Sequence, residues 1–131
     1  MNKLLIIEDD KILSEMYNDE FTKEKFAVQT ATDGQQGIEK MKLSLPDAVL
    51  LDLIMPKVNG YEFLKLLRAD PILNKVPVLV LTNIYTNKED LINNWAVAEV
   101  LLKSEHTPGS IVVKIKEILA AKTQQTKNDV F

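Results

Sequence analysis

Five short apolar runs recur along the chain, and each is bounded by turn-forming residues or by stretches with helical spacing. The runs occupy residues 4–7, 26–28, 48–51, 76–81 and 100–102. Because they lack alternating polar positions, they are typical of strands buried on both faces of a parallel sheet. Successive runs are separated by about 20 to 25 residues, which leaves room for one helix in each interval.

The segments between the runs carry apolar residues at helical spacing. The clearest sets follow the first and the last run and comprise Ile12, Leu13, Met16 and Tyr17, and Ile111, Ile115, Ile118 and Leu119. Strands that alternate with helices in this way are joined by right-handed crossovers. The pattern therefore predicts an open, doubly wound α/β fold with helices on both faces of the sheet.

Composition fits a single globular domain of 131 residues, of which 46% are hydrophobic and 27% are charged. We expect residues 1–122 to form this domain and residues 123–131 to form a frayed polar C-terminal tail. The 16 basic and 19 acidic residues are interspersed, which argues against a nucleic-acid surface. The chain has no cysteine and no apolar run long enough to cross a bilayer, so a soluble cytoplasmic protein is expected.

Polar residues directly follow four of the five apolar runs. Glu8, Asp9 and Asp10 come after the first run, Asp52 after the third, Thr82 after the fourth and Lys103 after the fifth. In open α/β sheets the ligand site lies outside the carboxyl ends of the strands. Converging carboxylates are held together most readily by a hard divalent cation, usually Mg²⁺ when a phosphate is nearby. These residue types indicate a carboxylate nucleophile with the groups needed for phosphoryl transfer.

Each of these residues also has a purely structural interpretation. Acidic residues before a helix are common caps, so Asp10 could serve only that purpose. An isolated Asp52 could be a turn residue, and Thr82 and Lys103 taken singly could be structural or solvated. Their joint occurrence at the ends of four predicted strands favours a functional site.

Four features of the chain resemble the receiver domain of two-component response regulators. They are LLIIEDD at residues 4–10, LLDLIMP at residues 50–56 followed by Asn59-Gly60, PVLVLT at residues 77–82, and Lys103. The resemblance implies a flavodoxin-like, five-stranded parallel sheet of order 2-1-3-4-5, with Asp52 as the phosphoacceptor. It also implies that Mg²⁺ is held by Asp9, by Asp52 and by the backbone carbonyl of Ile54, with Glu8 acting mainly through water.

The same resemblance implies a mechanism and partners. A sensor histidine kinase or a phosphotransfer protein would donate the phosphoryl group to Asp52, while Mg²⁺ and Lys103 neutralise charge on the transferred oxygens. Thr82 would then shift the face made by the fourth helix, the fifth strand and the fifth helix, which would bind a downstream protein. Such a switch catalyses its own phosphorylation and dephosphorylation. A monomer or weak homodimer is expected, without nucleic-acid or membrane contacts.

Three departures from the family pattern keep an alternative open. Ser104 follows Lys103 where a proline is usual, Val100 stands where an aromatic residue is common, and Asn83 follows Thr82 in place of a small residue. We expect a trans peptide bond before Ser104, because a cis bond there would cost about 2.5 to 4 kcal/mol. These departures motivate a degenerate receiver that acts as a phosphorylation-independent interaction module. A phosphatase with an aspartyl intermediate is disfavoured, because Ile54 occupies the place of its second aspartate.

Overall fold

The computed structural model describes residues 1–53, 59–83 and 88–129, with side chains described through residue 123. The five strands are β1 (Lys3–Ile7), β2 (Ala27–Ala31), β3 (Ala48–Asp52), β4 (Val78–Thr82) and β5 (Glu99–Leu102). The five helices are α1 (Lys11–Lys23), α2 (Gly34–Leu43), α3 (Gly60–Ala69), α4 (Lys88–Trp95) and α5 (Pro108–Asp129). Short 3₁₀ turns occupy Leu73–Lys75 and Lys103–Glu105.

The strands form one parallel sheet in the order β2-β1-β3-β4-β5, which confirms the predicted topology. Two separate hydrophobic clusters cover its faces. Side chains of α2, α3 and α4 pack on one face, and side chains of α1 and α5 pack on the other. The three central strands are almost wholly buried, as their continuous apolar runs predicted.

Three helices begin at a side chain that caps the first turn. Asp10 accepts a hydrogen bond from the Leu13 amide, and Asp33 and Asn59 accept equivalent bonds at the starts of α2 and α3. Each carboxylate or amide oxygen satisfies one of the N–H groups that a helix start leaves unpaired. The cap that the sequence offered as one interpretation of Asp10 is therefore present.

One predicted strand boundary was wrong. The second apolar run, 26–28, covers only the start of β2, which continues through polar residues to Ala31 because it is an edge strand with an exposed Gln29. Residues 123–129 continue helix α5, and the division of the chain at residue 122 stays a prediction. The segment from Ile111 to Asp129 contains neither glycine nor proline and is rich in Lys, Ala and Gln, which favour helix.

The backbone of Ala96, directly after α4, is left-handed, with a φ of 53°. The next amide, that of Val97, donates to the Leu91 carbonyl at 3.1 Å and closes the end of the helix. Glycine is the usual residue in this conformation, because a Cβ atom is strained there.

We predict that Ala96→Gly raises the free energy of unfolding by about 0.5 to 1 kcal/mol, because it relieves this strain. Urea denaturation followed by circular dichroism measures the change. Ala120→Gly, at an exposed position within α5, is the matched control and should lose about 1 kcal/mol, since there glycine only weakens a helix. A loss of stability in Ala96→Gly would contradict the prediction.

Candidate functional site

The strand order places the carboxyl ends of β1, β3, β4 and β5 side by side at one edge of the sheet. Asp52 and Thr82 are the last residues of β3 and β4, while Glu8 and Lys103 directly follow β1 and β5. The register pairs Asp52 with Leu81 on the neighbouring strand. The polar residues predicted from four separate parts of the sequence therefore converge on one crevice.

Lys103 reaches across this crevice to two buried carboxylates. Its Nζ lies 2.6 Å from Oε1 of Glu8 and 3.4 Å from Oδ2 of Asp52. The side chains of Glu8 and Asp52 are only 3% and 7% exposed, and that of Lys103 is 13% exposed. The turn that begins at Lys103 therefore directs the ammonium group of this lysine into the site.

Burial is the largest influence on the pKa of Glu8. Burial, reinforced by a hydrogen bond with Asp52, raises the pKa of Glu8 from 4.5 to about 8, although Lys103 partly opposes the increase. Burial alone would lower the pKa of Lys103, but its contacts with Glu8 and Asp52 raise it above the ordinary value. The lysine stays charged, while Glu8 retains affinity for a proton.

Three carboxylates could hold a metal ion. Glu8, Asp9 and Asp52 each offer an oxygen, and these oxygens lie within 4.8 Å of one another. Glu8 and Asp52 are buried, whereas Asp9 is exposed at the mouth of the crevice. All three donors are hard oxygens, which suits Mg²⁺ or Ca²⁺ better than a soft metal. Ile54, whose carbonyl was predicted as a further ligand, lies outside the described residues.

The surroundings of Asp52 are tightly constrained. Thr82 is completely buried at the end of β4, and Asn83 after it is exposed. The Gly60 amide donates to the Leu53 carbonyl at 2.9 Å, and a Cβ atom at Gly60 would lie 2.6 Å from the Leu53 backbone. Only glycine fits this approach, which fixes the start of α3 against the residue that follows Asp52.

Sequence reasoning assigned Tyr17 only to the apolar face of a helix. In the structure it is 5% exposed, and burial raises its pKa. The charges of Lys103, Glu8 and Asp52 also act on its hydroxyl group. The only signal in the sequence was a polar-tipped aromatic residue at a position that an aliphatic residue could have filled.

The segment after β5 differs from the family pattern at Ser104, but the Lys103 side chain still enters the site. The peptide bond before Ser104 is trans, as expected, and Lys103 begins a 3₁₀ turn. Val100 is buried in β5 and packs in the core. The substitutions that motivated a degenerate receiver therefore leave Lys103 in contact with the carboxylates.

Comparison with known proteins identifies the family. Residues 4–108 match the family described as the response regulator receiver domain. The chain belongs to this family. The transcriptional regulatory protein CpxR of Escherichia coli (strain K12) is 32% identical over 132 residues, which cover 98% of this chain and 55% of CpxR. The transcriptional regulatory protein YcbL of Bacillus subtilis (strain 168) is 40% identical over 78 residues, covering 60% of this chain and 33% of YcbL.

Solved structures agree with the fold of this receiver. A candidate response regulator from Chloroflexus aurantiacus superposes with a TM-score of 0.81 at 28% identity, covering 91% of this chain and 98% of that one. The chemotaxis protein CheY4 of Vibrio cholerae superposes with a TM-score of 0.82 at 24% identity, covering 89% and 98%, and supports the fold alone. The chain is thus a receiver domain of two-component response regulators.

The chain matches only part of the length of each of these relatives. The receiver spans about half of the length of CpxR and a third of that of YcbL. Among its described residues, no helix is both long enough and apolar enough to span a bilayer.

The raised pKa of Glu8 predicts how the stability of the metal-free receiver depends on pH. The folded state holds a proton that the unfolded chain releases above pH 4.5, so the free energy of unfolding should fall as the pH rises from 4.5 to about 8. We expect a loss of at least about 1.4 kcal/mol, the equivalent of one pKa unit. Urea denaturation in EDTA at a series of pH values measures it.

Glu8→Gln should abolish this part of the decline, because glutamine stays neutral. Glu39→Gln, at an exposed position in α2, is the matched control and should behave like the wild type. Equal slopes for the wild type and Glu8→Gln would show that Glu8 does not carry the effect.

Proposed function

We propose that Asp52 is the phosphoacceptor of this receiver. The observation that supports it best is the position of Asp52, buried at the end of central strand β3, 3.4 Å from the Lys103 ammonium and within a group of three carboxylates. Glu8 and Asp9 follow β1, so they lie at the same carboxyl edge of the sheet as Asp52. Asp52 is the last residue of β3, the middle strand of the sheet, and its carboxylate contacts the Lys103 ammonium.

Mg²⁺ is the cofactor that these residues suit. Asp9 and Asp52 would hold it directly, together with the Ile54 carbonyl, and Glu8 would act mainly through water. When bound, Mg²⁺ supplies positive charge that offsets repulsion among the carboxylates and the incoming phosphoryl oxygens.

The reaction is phosphoryl transfer from phosphohistidine of a sensor histidine kinase or phosphotransfer protein. A carboxylate oxygen of Asp52 attacks the phosphorus in line, a P–O bond forms, and the P–N bond breaks. The histidine nitrogen leaves with the electron pair of that bond. The Lys103 ammonium, already held beside Asp52, binds a transferred oxygen and needs no rearrangement of the backbone. Water later hydrolyses the acyl phosphate and restores the Asp52 carboxylate.

The output is a change in protein contacts on the α4-β5-α5 face. The Thr82 hydroxyl would donate a hydrogen bond to a phosphoryl oxygen and draw the end of β4 toward Asp52. Two large apolar side chains, Ile92 of α4 and Val113 of α5, are exposed on the helices of this face and offer contacts to a downstream protein. We propose that residues 1–122 form the switching unit, as a monomer or weak homodimer.

A phosphorylation-independent interaction module is the second candidate. Lys103 keeps its contacts with Glu8 and Asp52 although Ser104 follows it, and this favours a working phosphorylation site over the second candidate.

Asp52→Asn should abolish covalent labelling by acetyl phosphate in Mg²⁺, because an amide oxygen is a poor nucleophile. Intact mass spectrometry, supported by mapping of the labelled peptide, measures the product. Asp10→Asn is the matched control: it removes a neighbouring carboxylate but keeps a capping side chain, so labelling should persist. Labelling should also require Mg²⁺ and stop in EDTA. Undiminished labelling of Asp52→Asn would remove Asp52 from this role.

Thr82→Ala should still accept the phosphoryl group but lose the coupled change on the α4-β5-α5 face. The reason is that alanine has no hydroxyl group to bind the phosphoryl oxygen. Hydrogen exchange of α4 and β5 amides, with and without acetyl phosphate, measures the coupling. Thr82→Ser keeps the hydroxyl and should retain most of the change. If Thr82→Ala shows the full wild-type change, the threonine does not link the site to this face.

A further inference from the structure

Strand β2 forms one edge of the sheet, and its backbone groups point alternately toward β1 and away from the sheet. The Ala27 amide and the Ala31 carbonyl bond to backbone groups that flank β1, at 2.8 and 3.0 Å. Because successive residues of a strand direct their backbone groups to opposite sides, those of Val28 and Thr30 point outward. These are the groups to which a further strand could bind.

The sequence of β2 contains none of the usual obstacles to such binding. Residues 27–32 read AVQTAT and include no charged residue, no proline and no glycine. Edge strands that stay unpaired commonly carry a lysine, a proline or a bulge, each of which hinders a further strand. Valine and threonine also favour the extended conformation. Protection of this edge therefore has to come from another part of the chain.

Two side chains of α2 bond to backbone groups along this edge. The Lys40 ammonium donates to the Thr30 carbonyl, and Oε1 of Gln36 accepts from the Thr32 amide at 3.1 Å. Gln36 and Lys40 are four positions apart on α2, so they lie on the same face of the helix. Both residues are half-buried. The helix thus places two polar side chains over the backbone at the end of β2.

We propose that β2 is a strand-pairing surface for a second copy of this chain, and that Gln36 and Lys40 keep it covered. This role lies outside the proposed function of Asp52. Two copies would pair β2 with β2 in antiparallel orientation about a twofold axis, so that each copy presents the same groups to the other. Because the strand itself carries no charge, its own side chains do not repel those of a second copy.

Lys40 opposes this pairing in two ways. Its ammonium occupies the Thr30 carbonyl, which would otherwise accept a bond from the second copy. It also forms no ion pair within the described residues, so its positive charge is not neutralised there. Pairing centred on Gln29 would place the two Thr30 residues about 8 Å apart, and the two ammonium groups bound there would repel each other. Gln36 acts only by occupying an amide, so Lys40 should have the larger effect.

A double variant tests the cover. Gln36→Met combined with Lys40→Met removes both bonds and the charge but keeps the approximate length of the side chains. Gln35→Met combined with Lys42→Met is the matched control, because it makes the same two changes at exposed positions of the same helix. Sedimentation velocity of the full chain at increasing concentration measures the mass. Hydrogen exchange by nuclear magnetic resonance measures protection of the outward-pointing Thr30 amide.

The double variant at Gln36 and Lys40 should approach about twice the mass of the wild type at the same concentration, because an antiparallel β2 pair joins two copies. Its Thr30 amide should exchange about tenfold more slowly than that of the wild type. The control should match the wild type in both measurements. Lys40→Met alone should associate more weakly than the double variant, and Lys40→Arg should behave like the wild type, because arginine retains the charge and the donors.

A proline at position 30 locates the contact. The Thr30 amide points away from β1, so Thr30→Pro removes a donor for a second copy without removing a bond within the sheet. Added to the double variant, it should restore the wild-type mass.

An unchanged mass of the double variant would overturn the proposal. Equal association of the control, or association that leaves the Thr30 amide unprotected, would also overturn it. Thermal denaturation by circular dichroism confirms that each variant is folded, and if the double variant is not, the comparison of Lys40→Met with Lys42→Met decides in its place. None of these measurements involves phosphorylation, so their outcome is separate from that of the tests on Asp52.

Discussion

The contact of one ammonium group with two buried carboxylates is the interaction on which the site depends. β1 and β5 are separated by β3 and β4, a span of about 14 Å at the usual strand spacing. Glu8 and Lys103 bridge this span with long side chains that meet at 2.6 Å. When Glu8 is ionised, it and Asp52 would repel each other in a poorly hydrated crevice without a cation, and an unpaired buried charge is strongly destabilising. The fold therefore keeps one positive charge in the site and retains affinity for another.

The two ends of the sheet carry different kinds of contact. At the carboxyl edge, charged side chains compensate one another only in part, so a proton, a metal ion or a phosphoryl group can change the balance. At the opposite edge, Arg68 donates to the Trp95 and Ala96 carbonyls at the end of α4 and to the Asn74 carbonyl before β4.

The family match shows which part of its relatives this chain resembles. The family match covers residues 4–108 and includes every predicted site residue, while α5 continues beyond it to Asp129. CpxR matches over 98% of this chain, but the chain spans only 55% of CpxR. The relationship therefore concerns the receiver domain.

The sequence by itself determined the strands, their parallel arrangement and the polar residues at their ends. Continuous apolar runs such as 48–51 and 78–81 require burial on both faces, and that requirement is local enough to be read from the chain. Asp10 was recognisable as a cap for the same reason, since it acts within one helical turn. The edge strand β2 was harder to delimit, because its half-exposed residues carry a weaker pattern.

Only the tertiary structure decided which of these groups meet and with what consequence. Glu8 and Lys103 are 95 positions apart, and their contact depends on four strands lying in one order and register. The raised pKa of Glu8 follows from burial, which no local pattern measures. The hydrogen bonds of Arg68 were equally hidden, because its partners are backbone carbonyls that every residue possesses. Side-chain identity predicts the chemistry that is available, whereas the packing of distant segments decides where it is used.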